Sequence, residues 1–258
     1  MKQYRFSSKQ QLAKYEYLLF LFKKNISKKI LNFCFIIFVA SMAFLNHSCA
    51  PAYIPNMVNS PLFSNKGECN ASISAGFSGF DPQLSYALTN NVGLILNGSF
   101  MNSSSNDGSN DFMKWSIFDA GLGYYHSVEE NGRVEVYGGY GFGKVNGQYD
   151  LFETTYKTNS IFNKIFVQPD IGIAHKIYDG SFAIRFSFIN MHLSDPSYSG
   201  NNIFIEPVLT HKIGYKNLRI ILQIGFSLPI MTTKTLQYGG WQPFIYSIGL
   251  QLNLGRKY

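Results

Sequence analysis

His192, Leu193 and Ser194 stand in a row, and Glu206 follows twelve residues after the serine. These side chains suit acyl transfer: a serine attacks when a histidine within hydrogen-bond reach takes its proton, and a carboxylate orients the histidine. If the segments around them are strands, alternation puts His192 and Ser194 on one face and Glu206 on the other. The expectation is therefore polar residues at a rim, not an enzyme, with His192, Ser194 and Glu206 as weak catalytic candidates. Asp107, Asp111, His192 and Asp195 could form the paired acids and His–Asp couple of a hydrolase, but no motif surrounds them. His126, His175 and His211 are isolated from one another, so no metal site is expected and no cofactor is implied.

A second set of groups shares one parity. Asp119, Glu135, Asp170 and Glu206 fall on the same strand face as Lys176, Arg185, Lys212 and Arg219. Four acids against four bases describe a self-neutralising network inside a narrow interior, or else the charged constriction of a narrow channel for small solutes.

The third reactive residue is Cys49. Lys23, Lys24, Lys28 and Lys29 precede an apolar run from Ile30 to Leu45, the order of a cleavable secretory signal. At 16 residues the run is shorter than the roughly 20 that a spanning helix needs. It ends Leu45-Asn46-His47-Ser48-Cys49-Ala50-Pro51, with a small residue before the cysteine and Asn46 where an apolar residue is usual. Lipid modification of Cys49 after removal of residues 1–48 is expected. Without the lipid, a Cys49–Cys69 bridge is the alternative in an oxidising compartment. Pro51, Pro55 and Pro61 make 49–67 read as a tether.

The whole +7 net charge belongs to that leader: residues 1–48 hold eight Lys/Arg and one acid, and the remaining 14 bases and 14 acids cancel. A nucleic-acid binder needs its basic patch on the folded domain, so no nucleic-acid partner is expected.

The elements that must position these groups are strands. Leu218, Ile220, Leu222, Ile224 and Phe226 alternate with Arg219, Ile221, Gln223 and Gly225, and Phe244 to Leu254 repeats the pattern. Such a period of two marks a sheet with one apolar face. Here that face is aromatic and almost uninterrupted, while the other is rich in Gly, Ser, Asn and Gln, and segments of about ten residues suit a tilted bilayer crossing. Strands are expected near 70–78, 83–89, 92–101, 113–127, 133–146, 161–176, 181–193, 202–214, 218–229 and 242–255. Their connections alternate between short turns and longer polar loops, the asymmetry of outer-membrane barrels. The fold class is thus all-β: a closed antiparallel up-and-down transmembrane barrel over 68–258, of about ten strands with eight as the alternative count, behind an N-terminal helical signal segment. Both termini of the mature chain are expected in the periplasm. Trp115, Tyr198, Tyr238 and Trp241 are read as one aromatic girdle, and Tyr125, Tyr178, Tyr215 and Tyr258 as the other. The run Gly138-Gly139-Tyr140-Gly141-Phe142-Gly143 would let the interior pack tightly.

From Cys49 onward the chain resembles the small outer-membrane β-barrel proteins of the OmpA/OmpX-like class. The start Cys49-Ala50-Pro51-Ala52-Tyr53-Ile54-Pro55-Asn56, the strand Val134–Lys144 and the end Gln242–Tyr258 are similar to a lipoprotein-type subgroup of them. The resemblance implies outer-membrane lipid as surroundings and recognition of the aromatic C-terminal end by the barrel-assembly machinery. It leaves the long loops to meet any surface partner, and implies no established activity. Outer-membrane lipid A deacylases place Ser, His and Glu in a similar hairpin, but Asp195-Pro196-Ser197 departs from their usual sequence.

Overall fold

In lipid no water is available to pair a strand edge, so a membrane sheet must close on itself. The computed structural model describes residues 50–105, 110–151, 154–215 and 217–256. The leader, Cys34, Cys49, Asp107 and Tyr258 lie outside these residues. The sheet contains β1 (Cys69–Gly76), β2 (Gly79–Ala87), β3 (Val92–Ser104), β4 (Phe112–Val128), β5 (Gly132–Leu151), β6 (Thr154–Ala174), β7 (Tyr178–Ser194), β8 (Ser197–Tyr215), β9 (Leu218–Phe226), β10 (Leu228–Met231) and β11 (Phe244–Leu254), with a short helix α1 (Lys234–Gly239) before the last strand. Each strand pairs antiparallel with its neighbour, and β1 pairs with β11 from Cys69↔Leu254 to Gly76↔Ser247, which closes the barrel. β9 and β10 keep one register along β8, with Gly225 opposite Val208 and Leu228 opposite Ile205. They are two halves of one wall strand interrupted at Ser227, so the wall has ten strands.

The connections sort to two ends. One end carries 88–91, 129–131, 175–177 and 216–217, the short turns. The other carries 77–78, 105–111, 152–153, 195–196 and 232–243, and is called here the long-loop end. The paired strands reach further toward that end than the apolar alternation predicts. β5 and β6 continue to Leu151 and from Thr154 where a loop over 147–160 was expected, and β7 and β8 meet at 195–196. The reason is that the hydrogen-bond ladder needs only backbone, whereas alternation with an apolar face stops where lipid stops. Gly79–Pro82, expected as the first connection, belongs to β2. Gly79 has φ +91° and a side chain there would strike the Phe100 carbonyl, so only glycine fits.

The outward face carries a broad apolar belt, for example Ile161, Ile165, Val167, Ile171 and Ile173 on β6 and Ile248, Leu250 and Leu252 on β11. The two aromatic rings are drawn differently from expectation. Trp115 and Tyr125 point into the lumen and are buried, their polar tips donating to the Ser78 carbonyl (2.8 Å) and the Thr89 carbonyl (2.6 Å). Trp241 donates to the Ser227 carbonyl at 3.0 Å. Tyr86, Tyr124 and Tyr215 face outward near the short-turn end. The glycine run does what its spacing suggests: Gly139 and Gly143 face inward, and the Phe166 and Phe162 rings of β6 lie over them.

That arrangement separates two glycines of the same run. A methyl at Gly143 would overlap the Phe162 ring, while one at Gly138 meets nothing nearer than the Phe166 carbonyl at 3.9 Å. Gly143→Ala is expected to destabilise the barrel by about 1–3 kcal/mol through overpacking, and Gly138→Ala to leave it nearly unchanged. Urea unfolding in detergent micelles, followed by tryptophan fluorescence, measures both.

Candidate functional site in the barrel lumen

The lumen is occupied by the chain itself. Residues 50–63, expected as part of an external tether, are all buried. They run inside the barrel from the long-loop end to the short-turn end. The reason is composition. Tyr53, Ile54, Met57, Val58, Leu62 and Phe63 are too apolar for a solvated linker, and no charge occurs between Ala50 and Asn65.

The path can be followed bond by bond. At the long-loop end Thr158 and Ser160 of β6 donate to the carbonyls of Ala50 and Ala52, each at 2.5 Å. The Ala52 N–H donates to the Gly239 carbonyl at 2.8 Å, and Leu236 of α1 packs into the same apolar cluster as Ala52, Tyr53 and Ile54. At mid-lumen the Tyr53 hydroxyl donates to Glu206 (2.8 Å), and Arg185 donates from Nη2 to the Asn56 carbonyl (2.7 Å). Gln83 and Gln168 donate to the carbonyls of Met57 (3.0 Å) and Asn59 (2.9 Å), and Gln223 both donates to and accepts from Val58. Toward the short-turn end Lys212 donates to the Ser60 carbonyl at 2.6 Å. The N–H groups of Leu62 and Phe63 donate to the Glu135 carboxylate at 3.1 and 2.8 Å.

Seven of the eight residues expected to form a lumen charge network are buried there: Asp119, Glu135, Asp170, Arg185, Glu206, Lys212 and Arg219. Lys176 is not among them; it lies exposed in the turn 175–177, because β6 ends at Ala174 and parity no longer applies beyond it. The network also contains residues that expectation missed. Lys164 has the parity of Asp170 and could have been read from it; it bonds Asp119 at 2.7 Å with both side chains buried. Asp179, taken for a turn residue, pairs with Arg219 at 3.1 Å. Glu206 accepts from four donors: Arg185 (2.6 Å), Tyr53, Ser187 (3.1 Å) and Ser227 (3.0 Å).

Arg256, beyond β11, closes the short-turn end. It bonds Glu68 and Asp179 and donates to the carbonyls of Pro61 and Leu62. Burial works against its charge, but the Glu68 and Asp179 carboxylates outweigh burial and hold the guanidinium well above its usual pKa.

The hydrolytic candidates are not brought together. His192 and Ser194 are exposed on the outer face, and the His192 Nδ1 shares a hydrogen bond with Ser199 at 2.8 Å. Glu206 is inside the wall with its oxygens bonded as above. Asp195 and Asp111 sit in different connections of the long-loop end, and Asp107 is outside the described residues. Cys69 is a free thiol near the short-turn end, and Cys49, its alternative bridge partner, lies outside the described residues.

A closed antiparallel barrel with an apolar outer belt and an interior rich in hydrogen-bonded polar groups is an outer-membrane type of barrel. The family model described as "Outer membrane protein beta-barrel domain" matches residues 33–205, and the chain belongs to that family. No curated protein matches it.

The Arg185–Glu206 pair joins the wall to the lumen segment, and removing one partner would leave a buried charge uncompensated. Glu206→Ala is expected to cost about 3–5 kcal/mol, and the double variant Glu206→Leu/Arg185→Leu less than the single one. The temperature at which the folded band disappears on an unboiled gel gives the comparison.

Proposed function

We propose that this protein is a sealed outer-membrane barrel, a lipoprotein of the OmpA/OmpX-like class modified on Cys49. It stabilises the envelope and meets surface partners through its long loops. It neither conducts solutes nor catalyses a reaction. The observation that carries this reading is the occupied lumen: wall side chains hold residues 50–63 by their main chain from one end to the other. The polar lumen face that suggested a channel is engaged with protein instead of water.

In this reading the short turns face the periplasm, as the family's loop asymmetry suggests, and the long loops face outward. Outer-membrane lipid contacts the apolar wall. The assembly machinery would read the C-terminal end at Tyr258. No nucleic-acid partner is implied by a neutral barrel. A surface partner has one defined platform at the long-loop end, where Tyr198 and Tyr238 stack at 4.9 Å with the Lys234 ammonium 5.5 Å from the Tyr198 ring.

The purified chain in a planar bilayer is expected to insert without conductance. Regular steps from the intact chain would replace this reading with a narrow channel. Ser194→Ala is expected to leave the acylation pattern of lipid A unchanged in mass spectra of the host's lipid; a lost deacylated species would instead support the hydrolase alternative.

A further inference from the structure

The two ends of the described chain lie at opposite ends of the barrel. Ala50 is held by Thr158 near the start of β6, and Ala52 by the Gly239 carbonyl of the long-loop cap. Tyr53 forms a parallel bridge with Trp241 in the same cap. Arg256 is held at the other end by Glu68 and Asp179. Nineteen residues separate the far end of the lumen from the start of β1, counting Ala50 through Glu68. At no more than about 3.6 Å each they can span up to roughly 60 Å, enough to cross a hydrocarbon core of about 30 Å. This geometry bears on the expectation that both mature termini share the periplasmic side.

We infer that the barrel carries its own amino-terminal end through its lumen, so that the Cys49 end and any lipid on it are presented to the leaflet on the long-loop side of the membrane. Consecutive Cα atoms are 3.8 Å apart, so Cys49 cannot be far from Ala50. The route back through the lumen is filled by Ala52, Tyr53, Ile54, Met57 and Val58, all at most 2% exposed. A return outside the wall would lay unpaired peptide groups in hydrocarbon at several kcal/mol each. The partner this fits is the acyl interior of the leaflet at the long-loop face, entered by a thioether-linked diacylglyceryl group. The inference rests on the reading above in two respects: cleavage before Cys49, and long loops facing outward.

The test separates these parts in intact cells expressing the full chain. A short polar epitope is inserted between Cys49 and Ala50. Separately, in a Cys69→Ser background, Ser197→Cys marks the long-loop end and Glu130→Cys the short-turn end for a membrane-impermeant maleimide. The expected result is antibody binding to the epitope on intact cells, full labelling at Ser197→Cys, and labelling at Glu130→Cys only after lysis. An epitope found on the Glu130 side overturns the threading. If the Ser197 and epitope sites share one side but that side is periplasmic, the orientation fails and the threading stands. The mass of the N-terminal peptide settles the lipid: a diacylglyceryl adduct on Cys49 is expected, and an unmodified cysteine overturns that half. Should the epitope variant not give a folded band on an unboiled gel, Ala52→Cys with Gly239→Cys replaces it, since a side chain on Gly239 would meet the Ala52 Cβ. A cross-link between those residues is expected, and its absence in a folded protein overturns the threading.

Discussion

A peptide segment inside a closed barrel carries N–H and C=O groups that no strand pairs, and a buried peptide group without a partner costs as much as a lost hydrogen bond. Everything else in the lumen follows from meeting that demand. The wall strands spend their main-chain groups on one another, so partners must come largely from side chains pointing inward. They must be long enough to reach the axis and must offer donors where the segment shows carbonyls. Gln83, Gln168 and Gln223, Arg185 and Lys212, and Ser160 and Thr158 supply donors along the path. Glu135 supplies the acceptor where two N–H groups turn outward together at Leu62 and Phe63. A lumen face rich in Gln, Ser and Asn is therefore what a barrel needs in order to hold a strand-like guest, just as it would be to hold water.

The charges fit the same demand. Coulomb attraction between two buried ions offsets their desolvation only when further hydrogen bonds satisfy what remains. Asp119 has Lys164, Asn56 and Asn97, and Glu206 has Arg185 with three hydroxyls. In each group one donor comes from the lumen segment, Asn56 in the first and Tyr53 in the second. The ion pairs are thus completed by the guest, which fixes its register along the axis as a side-chain code.

The wall was legible in the sequence because lipid imposes a strict two-residue period on it, visible in Leu218–Phe226 and Phe244–Leu254. The ten strands and their alternating turns follow from that period. The inward parity of Asp119, Glu135, Arg185 and Arg219 was legible for the same reason. The period loses its hold beyond the ends of strands, which is why Lys176 falls outside the lumen; Asp179 shares the inward parity of Arg185, but β7 begins at Tyr178, ahead of the apolar alternation that reveals it. The lumen segment has no period to read. Three prolines broke any regular pattern, and prolines in sequence suggest a linker as readily as an extended guest. The signal that was present was chemical: a stretch from Ala50 to Asn65 with two aromatic and several large aliphatic side chains and no charge has no reason to stay in water. His192, Ser194 and Glu206 misled in the opposite way, since closeness in sequence is not closeness across a wall one strand thick.

The position of the segment constrains how the barrel can close. It precedes β1 directly, and β1 is the strand that forms the seam with β11. Near the short-turn end the segment's last turn, β1 and the C-terminal end are tied together by Glu68, Arg256 and the Pro61 and Leu62 carbonyls. The final seam therefore forms on a surface that the segment helps to build. At about 1 kcal/mol net for each hydrogen bond to the wall, the ten or so main-chain contacts sum to roughly 10 kcal/mol, comparable with the whole stability of an ordinary domain. A segment held that firmly is not a gate that thermal motion opens. It is the core of the barrel, supplied by the chain's own beginning because ten strands enclose more space than their side chains fill.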